Sequence, residues 1–167
     1  MILMIGSKNN RKLYRNLIEQ SIPQHIDLYV EPFGGGFGLY KLINKPRFAI
    51  YNDININSYQ TISKEYENDD SIYCLNVDYK DIIKTFDDLD TFFYCDPPYF
   101  RKYYYEYNFT TDEQHIELAN ILKNIKGKFL LSYQDRPFIT DLYKDFKIDK
   151  YTGKDMHLKP EITIKNY

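Results

Sequence analysis

Residues 91–99, Thr91-Phe92-Phe93-Tyr94-Cys95-Asp96-Pro97-Pro98-Tyr99, decide how the rest of the chain is read. The first five are apolar on both alternating faces, as a strand must be when helices cover its sheet on two sides. The run stops at Asp96, and the two prolines hold the backbone that follows in an extended shape. A buried central strand of this kind needs parallel neighbours joined by crossover helices, so the flanking sequence is read for that alternation.

Upstream, Asp27–Val30 is a strand candidate that runs into Glu31-Pro32-Phe33-Gly34-Gly35-Gly36-Phe37-Gly38. Leu39–Ile43 continues as helix, with the glycines at its mouth. Phe48–Tyr51 is a second strand ending at Asn52 and Asp53. A helical stretch follows, and Tyr73–Val77 is a third strand ending at Asp78. Nearer the start, Lys8–Ser21 reads as a helix with Leu13, Leu17 and Ile18 on one face and Pro23 as its stop.

Downstream, the spacing predicts a helix over Thr111–Lys126. Thr110 or Thr111 can cap it, Asp112 and Glu113 suit its first turn, and Leu118, Ile121, Leu122 and Ile125 share a face before Gly127. Lys128–Tyr133 is then a strand, Pro137–Tyr143 a helix, and Phe146–Tyr151 and Glu161–Tyr167 two closing strands. Strands alternating with helices predict an open α/β sheet with helices on both faces. Neither an internal repeat nor a linker interrupts the pattern, so residues 1–167 are expected to form one domain.

Composition bounds the function classes. Of 167 residues, 43% are hydrophobic and 28% charged, which suits a soluble globular domain and not a disordered one. Twenty-two Lys and Arg stand against 24 Asp and Glu, a net charge of −2, so any face for nucleic acid must be local or supplied by a second copy or a partner. Cys74 and Cys95 lie in apolar strand candidates and read as buried free thiols of a reducing compartment. His25, His115 and His157 are scattered, which favours structural or surface roles. Cys and His show no metal-ligand spacing, so no metal is expected. With no leader-like or membrane-spanning run, the expected location is intracellular and cytoplasmic.

Ligands of open α/β sheets sit beyond the carboxyl ends of the strands, where three features fall. Gly34, Gly35 and Gly36 remove side chains where the first strand turns, so a ligand can approach the backbone. Asp53 follows about twenty residues later, where a carboxylate accepts from ribose hydroxyls. Asp78 can accept from an adenine amino group. The glycines miss the G-x-G-x-x-G spacing of dinucleotide sites, and glycines with a ribose acid but no pyrophosphate suit S-adenosylmethionine. The plainer alternative is a tight turn with Asp53 and Asp78 as helix caps.

Asp96-Pro97-Pro98-Tyr99 suits the activation of an amino group on a nucleobase. Such nitrogen is a poor nucleophile because its lone pair is delocalised into the ring. Asp96 and the Pro97 carbonyl offer acceptors for its protons, and Tyr99 offers a face for stacking. Alternatively, the turn simply ends a buried strand. Phe100–Tyr107 mixes Arg101 and Lys102 with Tyr103, Tyr104 and two further tyrosines, a composition that grips bases or packs on its own domain.

Taken in order, these segments resemble the Dam-like adenine-specific DNA methyltransferases. Gly6-Ser7-Lys8 resembles the family's N-terminal cofactor motif, Val30–Tyr40 its glycine motif, Asn52–Asn55 its ribose motif and Asp96–Tyr99 its catalytic motif. Phe109–Leu122, Gly127–Asp135 and Glu161–Tyr167 resemble the segments that finish the core. The resemblance implies a Rossmann-like class I methyltransferase fold: seven mostly parallel strands, the last antiparallel. It implies S-adenosylmethionine as cofactor, S-adenosylhomocysteine as product, and the 6-amino group of adenine in DNA as target.

It assigns cofactor contacts to Met4, Lys8, Glu31, Pro32, Phe33, Gly34, Gly35, Gly36, Asp53, Ile54, Asp78 and Asp96. The catalytic turn would be Asp96, Pro97, Pro98 and Tyr99; Arg101, Lys102, Tyr103 and Tyr104 are candidate nucleic-acid contacts from the composition of their segment and not from the resemblance. Family members carry a sizeable recognition region before the catalytic motif, whereas Asp78–Asp96 is short here. Sequence choice is therefore expected to be loose, or to depend on a homodimer or a separate recognition partner. RNA or a glutamine side chain remains an alternative substrate, and a non-catalytic subunit an alternative role.

Overall fold

The strand β4, Thr91–Cys95, is buried at every residue and pairs in parallel with a strand on each side. The computed structural model describes residues 17–98, 109–151 and 160–167. Among these, the other strands are β1 (Leu28–Glu31), β2 (Phe48–Asn52), β3 (Ile72–Leu75), β5 (Lys128–Gln134), β6 (Lys147–Lys150) and β7 (Glu161–Lys165). They form one sheet in the order β3-β2-β1-β4-β5-β7-β6, in which β7 alone runs antiparallel to its neighbours. This is the expected Rossmann-like sheet.

The helices are α1 (Ile56–Glu65), α2 (Tyr79–Phe86), α3 (Asp112–Leu122) and α4 (Pro137–Leu142). Alternation along the strands sorts the core into two layers. Val30, Ile50, Phe93, Cys95, Phe129, Leu131, Tyr133, Ile162 and Ile164 meet α2, α3 and α4 on one face. Tyr29, Ala49, Tyr51, Phe92, Tyr94 and Leu130 meet Ile18, Leu39, Tyr40 and Ile62 of α1 on the other. Each fully buried Phe contributes about 2–3 kcal/mol of transfer free energy, so adjacent Phe92 and Phe93, facing opposite layers, bind both to the sheet.

Local chemistry sets the helix ends. Asn55 caps α1 by accepting from the amides of Asn57 and Ser58. Thr111 opens α3 in a capping box with Gln114, whose side chain accepts from the Thr111 amide. That helix stops at Leu122, short of Lys126; the Lys126 and Gly127 amides instead donate to Asp87. Gly127 is needed there, since a Cβ would sit 2.8 Å from the carbonyls of Asp88 and Thr91.

Leu39–Ile43 is a correction. It forms turns instead of a helix, with the Leu42 amide bonded to the Leu39 carbonyl at 2.9 Å. Phe37 has a φ of 53° and stacks on Tyr40 with ring centroids 4.4 Å apart. Phe37, Leu39 and Tyr40 all turn inward, a spacing that one helical turn cannot bury on one side. Five residues ahead of Pro46 also gain too few bonds to offset nucleation.

Both described cysteines are free thiols, Cys95 buried and Cys74 half-buried. Among the described residues no helix is long and apolar enough to cross a membrane.

Candidate active site

The strand order reverses between β1 and β4: β2 and β3 lie on one side of β1, β4 and β5 on the other. Ligand crevices of open α/β sheets form at such a switch point, beyond the strand carboxyl ends. The glycine turn leaves β1 there, and Asp96 leaves β4 beside it. Asp53 follows β2, the neighbour of β1 on its other side. The candidate acids and the glycine turn therefore share one edge of the sheet.

Gly34 is packed and Gly35 is open. A Cβ on Gly34 would fall 2.3 and 2.5 Å from Tyr51 ring carbons and 3.0 Å from the Asn52 carbonyl. A Cβ on Gly35 would meet nothing within 4 Å, and its φ of +48° is the left-handed conformation that glycine adopts freely. Asp53 braces this turn: its Oδ2 accepts from the Gly35 amide at 2.8 Å and its Oδ1 from the Asn55 amide at 2.8 Å. The Tyr51 hydroxyl donates to the Gly35 carbonyl at 2.9 Å. Burial raises the Asp53 pKa, against the two amide bonds that lower it.

Glu31 is the buried acid of the crevice, only 2% exposed. It accepts from the Tyr29 hydroxyl and the Tyr40 amide. Burial drives its pKa up to about 8; Asp96 adds to the rise, while those two bonds and Lys41 oppose it. A cation in the crevice would restore its ionised form.

Two asparagines, unassigned from sequence, knit the loops. Asn52 is fully buried; its Nδ2 donates to the carbonyls of Pro32 and Val77 at 3.0 Å, and its Oδ1 accepts from the Val77 amide. Asn76 Nδ2 donates to the carbonyls of Asp53 and Ile54 at 2.6 and 3.0 Å. The loops after β1, β2 and β3 are thereby tied together. Asn52 stands inside the ribose motif, so its place beside Asp53 was the available signal.

Asp78 lies three residues beyond β3 and caps α2, accepting from the Lys80 amide at 2.9 Å. Of the two readings of Asp78, the cap is the one seen directly. Ile54 is 44% exposed beside Asp53 and offers an apolar surface. Phe33 packs on Tyr79 and Phe109, with centroids at 4.9 and 5.9 Å, and props the turn from the opposite layer. Pro32 and Pro97 are buried, and Gly36 and Pro98 are half-buried. Met4, Lys8, Tyr99, Arg101, Lys102, Tyr103, Tyr104 and His157 lie outside the described residues. His25 is exposed, whereas His115 is buried beneath Phe109 and bonded to Tyr133.

Comparison with known proteins agrees with the fold and gives the family. A family model described as D12 class N6 adenine-specific DNA methyltransferase matches residues 61–155. The chain is 33% identical over 130 residues to the type II methyltransferase M1.LlaDCHI of Lactococcus lactis subsp. cremoris, covering 68% of this chain and 45% of that protein. It is 32% identical over 148 residues to the type II methyltransferase M.CviBI of Paramecium bursaria Chlorella virus NC1A, covering 81% and 52%. The chain thus spans about half the length of these curated relatives.

Among solved structures it resembles SMU.1697c of Streptococcus mutans, a methyltransferase-fold protein in complex with SAH. The TM-score is 0.61 at 10% identity, over 92% of this chain and 96% of that one. With the sheet order, the shared edge and the family match in agreement, the chain belongs to the D12 class of N6 adenine-specific DNA methyltransferases.

Proposed function

We propose that the chain transfers a methyl group from S-adenosylmethionine to the 6-amino group of an adenine in DNA. The observation that carries this reading is the placement of Asp96 across the switch point from the glycine turn, on the same edge as Asp53. The crevice suits a nucleoside cofactor: the space over Gly35 is open, and Asp53 is fixed by two amides with lone pairs to spare. Asp53 would take the ribose hydroxyls, Ile54 the adenine face and Glu31 the positive charge of the methionine end. Residues 34–36 would allow close backbone approach, with Pro32 and Phe33 shaping that turn. We assign Met4 and Lys8 to the same cofactor, and Asp78 to its base through the carboxylate oxygen that does not cap α2.

S-adenosylmethionine, when bound, would supply an electrophilic methyl group, with S-adenosylhomocysteine as the neutral thioether leaving group. Asp96 and the Pro97 carbonyl accept hydrogen bonds from the two amino protons and draw the nitrogen towards tetrahedral geometry. Pro98 stiffens the turn, and Tyr99 provides the stacking face. As the nitrogen forms its new bond to carbon, Asp96 takes the surplus proton and passes it to solvent. Arg101, Lys102, Tyr103 and Tyr104 are assigned to the extruded nucleotide and its phosphates.

We read residues 1–167 as one catalytic domain. The short stretch from Asp78 to Asp96 supports a second copy or a separate chain as a reader of DNA sequence. Labelled S-adenosylmethionine offered with duplex DNA, single-stranded DNA and RNA tests the reaction: label in adenine of DNA is expected. Label in RNA alone, or binding without transfer, overturns it.

A further inference from the structure

Strand alternation and register place an unassigned group of polar side chains beside Asp96. Tyr94 of β4 pairs with Leu130 of β5, so Asp96 falls level with Ser132, on the same face of the sheet. Gln134 lies on that face two residues further on. β7 continues the row, since Ser132 pairs with Thr163 and Gln134 with Glu161. Asp53, Glu31 and Asp96 occupy the β2, β1 and β4 positions of this rim. The proposed cofactor takes the side of Asp96 nearer β1 and β2, which leaves the β5 side for the acceptor.

Gln134 stands out on that side. It is 3% exposed at the end of β5, and its Oε1 finds no hydrogen-bond partner among the described residues. A buried amide oxygen without a partner costs stability, and such groups in folded proteins call for an explanation. Thr163 Oγ1 beside it is likewise buried and unpaired among the described residues. A strand rise of about 3.3 Å and a spacing of about 4.8 Å put the Gln134 and Asp96 Cα atoms about 8 Å apart, room for two side chains with the edge of a planar base between them.

We propose that Gln134 is a specificity-determining residue that reads the N7 edge of the target adenine. Its Nε2 donates to N7, and its Oε1 shares the N7-side amino proton with the Pro97 carbonyl; Asp96 keeps the other proton. Paired contacts of a glutamine amide with N6 and N7 are the geometry by which proteins recognise adenine. Cytosine has an amino group beside a ring nitrogen but no N7, so this contact separates adenine from cytosine, which Asp96 alone would also accept. The inference rests on the proposed adenine methylation.

The test uses the full chain and a duplex carrying its mapped methylation site, with the target as adenine or as 7-deazaadenine. For the unaltered protein, 7-deazaadenine is expected to lower kcat/KM about tenfold. Gln134→Ala should lose about tenfold on adenine, bind SAH with unchanged affinity, and show no further loss on 7-deazaadenine. An equal penalty in both proteins, or none in the unaltered protein, overturns the role of Gln134 while leaving adenine methylation standing. Absence of a penalty in the unaltered protein overturns the role even if the variant fails to fold. Absence of methylation on any adenine sinks the underlying reading instead, and this inference with it.

Discussion

Asp53 and Gly35 are joined by a 2.8 Å hydrogen bond from the glycine amide to Oδ2, across 18 residues of chain. The acid assigned to the ribose is therefore also the brace of the turn that the cofactor must approach. Asp53→Ala removes acceptors from the amides of both Gly35 and Asn55. It is expected to weaken SAH binding at least tenfold and to lower stability by roughly 1–3 kcal/mol. Calorimetric titration and urea denaturation read the two effects, and unchanged SAH affinity would refute the binding role.

Gly34 and Gly35 should respond differently to alanine. At Gly34 the added methyl strikes the Tyr51 ring and the Asn52 carbonyl, and overpacking of this kind costs about 1–3 kcal/mol. At Gly35 the methyl is free of contacts, and only the positive φ opposes it, at about 1 kcal/mol. Urea midpoints should rank the unaltered protein above Gly35→Ala and Gly34→Ala lowest.

Asp96→Ala should abolish methyl transfer while the protein still folds, as read by circular dichroism and cooperative urea unfolding. Full activity in this variant would remove Asp96 from the chemistry.

Glu31 predicts an inverted pH dependence. Burial raises its pKa in the folded chain to about 8, above the ordinary glutamate value, so the folded state binds more protons between those limits. Its contribution is most favourable below about pH 4.5 and is lost as pH rises towards 8. Glu31→Gln should therefore gain on the unaltered protein through that window, by on the order of a few kcal/mol, and level off above it. SAH binding near pH 7 should release a proton from the unaltered protein and not from the variant, as read by calorimetry in buffers of different ionisation heat.

His115 works in the opposite sense. Burial beneath Phe109 lowers its pKa to about 4, so the fold holds it neutral. Stability tied to that neutrality is present above about pH 6.5 and lost as pH falls towards 4. His115→Gln should flatten the fall over that interval by roughly 2–3 kcal/mol in acid titrations of unfolding.

Much of this was legible in the chain because burial leaves a periodic mark. TFFYC gave β4 residue for residue, and Thr111, one of the two cap candidates, opens α3. The glycine turn, Asp53 and Asp96 could be placed on one edge because parallel strands point the same way. The Leu39–Ile43 turns escaped because a short apolar run carries no period, and nothing in it announces the positive φ of Phe37. Asp78 looked like a strand-end ligand group because β3 stops two residues sooner than its apolar run. The asparagine bridges and the polar row along β5 and β7 depend on which loops and strands become neighbours, information that exists only once the sheet has assembled.

The reversed strand has a consequence for biosynthesis. β6 pairs with β7 alone, and β7 lies between it and β5. A ribosome releases residues 147–150 before the strand that anchors them exists, so the nascent chain carries an unmated edge until residues 161–165 emerge. Only insertion of β7 between β5 and β6 satisfies that edge, so a chaperone that shields it meanwhile would raise the yield of native protein.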